Sequence, residues 1–174
     1  IESPFDRVII DKCRFETSVG YPIRLGTSGV PAQWGTWVGV SITDVEIDGV
    51  TAVSTTQNVG GILVYGTDPE GRSARISNVV GGGAGSSEAW GIHAQAIGFV
   101  ADSCVISGIS GGALTNRGIS YKPETNGRMG IVSNSKIYCG GTSEGIAWYG
   151  GEAILSNCLI DDPLVSGITL GSAS

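Results

Sequence analysis

FVADSCVI at residues 99–106, GIVSNSKI at 130–137 and AILSNCLI at 153–160 share one pattern. Two apolar residues in alternation lead to a polar turn residue, and two more in alternation follow it. The pattern recurs in VIIDKCRF (8–15), VSITDVEI (40–47) and ARISNVVG (74–81). The turn residue is Lys12, Asp44, Asn78, Ser103, Asn134 and Asn157, with spacings of 32, 34, 25, 31 and 23 residues. Asn, Asp and Ser tolerate left-handed backbone angles and hydrogen-bond locally, which suits a sharp corner between two strands. Lys12 is the misfit, and Asp11 beside it would serve after a one-residue slip.

A second short strand follows each corner, usually announced by Gly-Ile: PIRLG (22–26), GILVYG (61–66), GIHAQ (91–95), GISYK (118–122), GIAWYG (145–150) and GITLG (167–171). Side chains of a strand alternate between faces. Before the corner the inward pairs are Val8/Ile10, Val40/Ile42, Ala74/Ile76, Phe99/Ala101, Gly130/Val132 and Ala153/Leu155. After it they are Cys13/Phe15, Val45/Ile47, Val79/Gly81, Cys104/Ile106, Ser135/Ile137 and Cys158/Ile160. A sandwich strings its strands through hairpin turns such as Asn-Gly. Here aliphatic returns to aliphatic and turn residue to turn residue, as when equivalent positions stack one coil apart along an axis. The expectation is an all-β, right-handed parallel β-helix of about six coils, one domain over residues 1–174, with an irregular sandwich as the main competitor.

Composition agrees. Gly supplies 29 of 174 residues, without a three-residue period, and 41% of the chain is hydrophobic against 15% charged. That fits short strands joined by tight turns, and neither collagen nor disorder. The net charge of −6 leaves no basic face for nucleic acid. No apolar run reaches the ~18 residues of a membrane span, so no membrane insertion is expected. The chain opens on Ile1 with no visible leader and no capping helix at either end, which reads as a piece of a longer protein.

Insertions are read at 26–39, with Trp34 and Trp37, at 66–73, at 81–91, with Trp90, and at 122–129. Outward aliphatics Ile9, Val100, Ile131 and Ile154 before the corner, with Val80, Val105 and Leu159 after it, suggest a covered face. A neighbouring subunit in a cyclic oligomer is the simplest cover.

The outward positions of the Gly-Ile strands carry the candidate chemistry. Tyr65, His93, Gln95, Lys122 and Tyr149 form a polar-aromatic strip across successive coils, with Trp90 nearby. Flat aromatics beside amides suit a glycan groove, because apolar sugar faces stack and hydroxyls take the hydrogen bonds. A mixed solvated face is the plainer reading. Glycoside hydrolysis needs two carboxylates, and Glu88, Glu124, Asp68 and Glu70 are the candidates, although sixteen acids make some pair inevitable. A lyase would draw on Lys122 or Arg128. The four cysteines read as small buried hydrophobes rather than disulfides or zinc ligands, and neither a calcium-type Asp cluster nor a cofactor motif is present.

The repeated I-x-N-C-x-I and Gly-Ile patterns resemble the pectate-lyase-like β-helix superfamily and, within it, the central domains of bacteriophage tailspikes. The resemblance spans nearly the whole chain, but in repeat style only; no catalytic motif is matched. It implies a homotrimer in a virion tail, assembled in the host cytoplasm, that binds a bacterial cell-surface polysaccharide, with depolymerisation left open. A secreted bacterial polysaccharide lyase or hydrolase fragment and a non-catalytic, adhesin-like stalk are the alternatives.

Overall fold

The computed structural model describes residues 7–25, 39–67, 70–85, 87–122, 129–140 and 144–171. It is an all-β parallel solenoid built from three six-stranded sheets. Sheet one holds β1 (Val8–Asp11), β4 (Val40–Thr43), β7 (Glu70–Arg72), β10 (Phe99–Asp102), β13 (Gly130–Ser133) and β16 (Ala153–Ser156). Sheet two holds β2 (Arg14–Val19), β5 (Glu46–Thr51), β8 (Arg75–Val80), β11 (Val105–Ser110), β14 (Lys136–Tyr138) and β17 (Leu159–Asp161). Sheet three holds β3 (Ile23–Leu25), β6 (Val59–Thr67), β9 (Glu88–Ile97), β12 (Thr115–Tyr121), β15 (Glu144–Tyr149) and β18 (Ser166–Gly171). The chain visits the three sheets in turn, and every pairing is parallel.

The corner between sheets one and two is left-handed at Lys12, Asp44, Ser73, Ser103, Asn134 and Asn157, with φ near +50° throughout. Its backbone stays paired, because the corner N–H bonds to the next coil: Asp44 to the Arg72 carbonyl at 3.1 Å, Ser73 to Asp102 at 2.9 Å, Ser103 to Ser133 at 3.0 Å. Side chains continue the ladder. Asn157 Nδ2 donates to Asn134 Oδ1, and Asn134 Nδ2 to Asp102 Oδ1, both at 2.8 Å. Polar residues are thus selected at this position for their side-chain ladder as well as for their backbone angles.

One coil departs from the sequence alignment. Its corner is Ser73, not Asn78, which makes the spacings 29 and 30 residues from Asp44 to Ser73 to Ser103. Ala74 and Ile76 are inward, as expected, but they line sheet two, where Ile76 pairs with Ile47 and Ile106. The sheet-one strand of this coil is Glu70–Arg72, inside a stretch read as an insertion. Its inward residue is Gly71, so it carries no apolar signal. Asn78 is left-handed too, but it belongs to a second kink within sheet two, aligned with Thr17, Gly49 and Gly108.

Three stacks fill the interior: Ile10–Ile42–Gly71–Ala101–Val132–Leu155, Phe15–Ile47–Ile76–Ile106–Ile137–Ile160 and Ile23–Ile62–Ile92–Ile119–Ile146–Ile168. Phe99, Tyr121 and Trp148 add an internal aromatic row, with centroids 5.7 and 4.3 Å apart. The glycine of four Gly-Ile pairs has a steric cause, while Gly167 in the last coil meets only ordinary contacts, none closer than 3.8 Å. A Cβ at Gly61 would lie 2.6 Å from Ile76 Cγ2, and one at Gly91 2.5 Å from Ile106 Cγ2. Gly118 and Gly145 meet Ile137 and Ile160 in the same way. The isoleucine stack of sheet two leaves no room for a side chain there.

Outward, Val100, Ile131 and Ile154 stand next to one another on sheet one, while Ser41 and Glu70 separate them from Ile9. On sheet two the row is broken. Val105 and Leu159 alternate with Arg75 and Lys136, and Val80 lies elsewhere, between Thr51 and Ser110. All four cysteines are free. No described helix is long and apolar enough to cross a membrane.

Candidate functional site

The outer face of sheet three is where the predicted strip falls. Register puts Arg24, Leu63, His93, Ser120, Ala147 and Thr169 in one outward column, and sets Tyr65 opposite Gln95 in the next. This face is not simply solvated. Leu63 and Tyr65 are buried and form, with Tyr21, an apolar cluster outside the main core. Ser120, Ala147 and Trp90 are buried as well.

A pocket of about 380 Å³ opens on this face. Its aromatic wall is Tyr21, Tyr65, Trp90 and His93, and its polar groups come from Arg24, Asn58, Glu88, Gln95 and Lys122. The Trp90 and His93 rings stack at 4.5 Å, and Tyr21 lies nearly parallel to Trp90 at 6.4 Å. Among the described residues, Trp90 Nε1, His93 Nδ1 and Ser120 Oγ are buried without a hydrogen-bond partner, as is Trp148 Nε1 in the core. A buried polar group left unpaired costs about 1–3 kcal/mol. Burial, then the Arg117 and Lys122 charges, push His93 down to about 3, so its imidazole is neutral. Burial also raises the Tyr21 and Tyr149 hydroxyls, which stay protonated.

Beside the pocket runs a charge network. Arg117 Nε bonds Glu144 at 2.5 Å, and its Nη1 bonds Glu88 at 3.2 Å. Thr115 donates to Glu88 at 3.0 Å, Thr169 donates to Glu144 at 2.9 Å, and the guanidinium lies 5.2 Å from the Tyr149 ring centroid. These three charged side chains are no more than about one-fifth exposed. Removing one member would strand buried charge.

Of the sequence candidates, the fold brings Tyr65, Trp90, His93, Gln95, Lys122 and Glu88 into one pocket. Glu88 is the first residue of β9, within the stretch read as a loop, because Gly-Ser-Ser before it masked the strand start. Tyr149 joins the Arg117 network instead of the pocket lining. Glu70 does not approach the strip; it stands on the outer face of sheet one, paired with Arg72 at 3.2 Å. Asp68 and Glu124, like Trp34, Trp37 and Arg128, lie outside the described residues. Tyr21, Asn58, Arg117 and Glu144 were not foreseen. The last two had a signal: the residue before each Gly-Ile falls in one outward column, Trp90–Arg117–Glu144–Ser166, where opposite charges are neighbours. No metal-binding group of three ligands occurs among the described residues.

No family model matches the chain, and no curated protein or solved structure is significantly similar to it. The parallel β-solenoid is compatible with polysaccharide binding and with an adhesin-like stalk; the site has to carry the choice.

Proposed function

We propose that the outer face of sheet three binds a bacterial surface polysaccharide, as the resemblance to tailspike β-helices implies. The supporting observation is the pocket, where stacked Tyr21, Trp90 and His93 rings adjoin the polar side chains of Arg24, Asn58, Gln95 and Lys122. Sugars match such a lining, stacking their apolar faces on the rings and directing hydroxyls to the polar groups. Binding is favoured over hydrolysis. Among the described residues the pocket holds one carboxylate, Glu88, whose Oε1 already accepts from Thr115 and Arg117. Hydrolysis by acid and base needs two, at least one free to exchange a proton.

The test titrates the protein with capsular and O-antigen polysaccharides, reading calorimetric heat and polymer chain length together. At least one polymer binds without being shortened, and Trp90→Ala weakens it by roughly a hundredfold, as for loss of a central aromatic anchor. Shortening would replace the binding role by an enzymatic one and return Asp68 and Glu124 to candidacy. No binding to any polymer would leave the stalk.

The trimer belongs to the same reading and is supported by the adjacent Val100, Ile131 and Ile154 on sheet one. Sedimentation equilibrium at three times the 17.8 kDa chain mass is expected. A monomer at every concentration removes the trimer and leaves the pocket untouched.

A further inference from the structure

The pocket carries a charge pattern opposite to that of the molecule. The chain has a net charge of −6, yet two cations, Arg24 and Lys122, line the site. Neither has a carboxylate partner among the described residues. Arg24 rests beside the Tyr21 ring at 5.9 Å. Lys122 stands one residue beyond β12, where its N–H bonds the Ala94 carbonyl at 2.9 Å and sets it level with Gln95. The one acid of the lining, Glu88, shares Arg117 with Glu144, so that trio carries one net negative charge against the two positive charges of Arg24 and Lys122. Lining and network together keep one net positive charge, with Lys122 half-buried and Arg24 exposed at the pocket's other end.

The two cations are also spaced along the axis. Arg24 lies on β3 and Lys122 at the end of β12, with β6 and β9 between them. Three strand spacings of ~4.8 Å put them about 14 Å apart along the solenoid. Between them lie Tyr65 on β6 and Trp90, His93 and Gln95 on β9. An acceptor-rich chain running along the axis would meet a cation at each end and polar and stacking groups in the middle.

We infer that the pocket selects an anionic glycan, one whose carboxylate or phosphate groups meet Arg24 at one end and Lys122 at the other. This rests on the polysaccharide-binding reading and adds the charge class, the direction of the chain and the two specificity-determining residues.

The experiment measures calorimetric binding of the intact chain to uronate-bearing capsular polysaccharides and to the same polymers after carboxyl reduction, with a glycerol-phosphate teichoic acid as the phosphate arm. Arg24→Gln and Lys122→Gln are compared with Lys136→Gln, a cation on the exposed face of sheet two. An acidic polymer binds and its neutralised form binds roughly a hundredfold more weakly, as for loss of two charge-assisted contacts of about tenfold each. Arg24→Gln and Lys122→Gln each lose about tenfold on the acidic polymer and nothing on the reduced one. Lys136→Gln changes neither, and Arg24→Lys and Lys122→Arg restore most of the affinity. The arm that binds tells carboxylate from phosphate. Equal binding of acidic and reduced polymers, or an equal loss in Lys136→Gln, overturns the inference while polysaccharide binding stands. Absence of binding to every polymer, neutral ones included, overturns both.

Discussion

At the scale of single residues, His93 shows how position in a sheet differs from exposure. It alternates outward with respect to the solenoid interior, yet Trp90 stacks on it and its Nδ1 is buried. Its pKa of about 3 lies below the ~6.5 of an unfolded chain, so the unfolded state binds the extra proton between those values. Stability from this residue is fully present above about pH 6.5 and falls as pH drops toward 3, at up to ~1.4 kcal/mol per pH unit. In His93→Gln, urea midpoints measured from about pH 7 down to 4.5 should lose this one-proton slope. The depressed Asp48 and Asp102 carboxylates act at lower pH, through the hydrogen bonds from Ser77 and Asn78 and from Ser133 and Asn134. An unchanged slope in His93→Gln would mean that the imidazole titrates normally in the folded protein. Cys104 is quieter: burial pushes its thiol up to about 11, as expected for a cysteine packing as a hydrophobe.

At the scale of the element, the Gly-Ile step is a packing device. Gly91 sits where sheet three passes over the isoleucine stack of sheet two, and an added Cβ would also lie 2.6 Å from the Gly118 carbonyl. Backbone on one side and a fully buried Ile106 on the other cannot both yield. Gly91→Ala should therefore cost about 1–3 kcal/mol or more by urea denaturation. Gly71→Ala, whose Cβ would meet nothing closer than 4.0 Å, should cost far less. Equal losses would refute the steric account. The pairing of sequence-distant residues also explains why the alignment slipped by one strand in the third coil. Both left-handed columns accept Asn, and β7 offers only Glu-Gly-Arg, so pattern alone preferred the aliphatic neighbour. Strand register, set by hydrogen bonds to β4 and β10, decides otherwise.

At the scale of the molecule, each coil contacts only its neighbours, so stability is nearly a sum of nearest-neighbour terms. Ile106 lies mid-stack and fully buried, whereas Ile168 and Leu170 on the last strand of sheet three are 46% and 71% exposed. Ile106→Ala should cost about 2–5 kcal/mol and Ile168→Ala less than about 1 kcal/mol, measured by chemical denaturation. Amide exchange should be slowest in β8 and β11 and fastest in β18. A large loss at Ile168 would mean that another chain or segment covers that end.

The sequence by itself determined the parallel solenoid, the inward columns of five of the six coils, five of the six corner residues and the two outward columns, one with His93 and one with Tyr65, Gln95 and Lys122. Those features repeat from coil to coil, and a repeat is visible in one dimension because each instance supports the others. Only the tertiary structure decided which outward residues are buried, which acids are already paired and which cations have no carboxylate partner among the described residues. Glu88 looks as available as Glu70 in the sequence, but one is bound to Arg117 on sheet three and the other to Arg72 on sheet one. The Glu88 pairing joins residues one coil apart, and the place of Glu70 on sheet one follows from the register of β7. They depend on distance and desolvation, and neither quantity is written in the order of the residues.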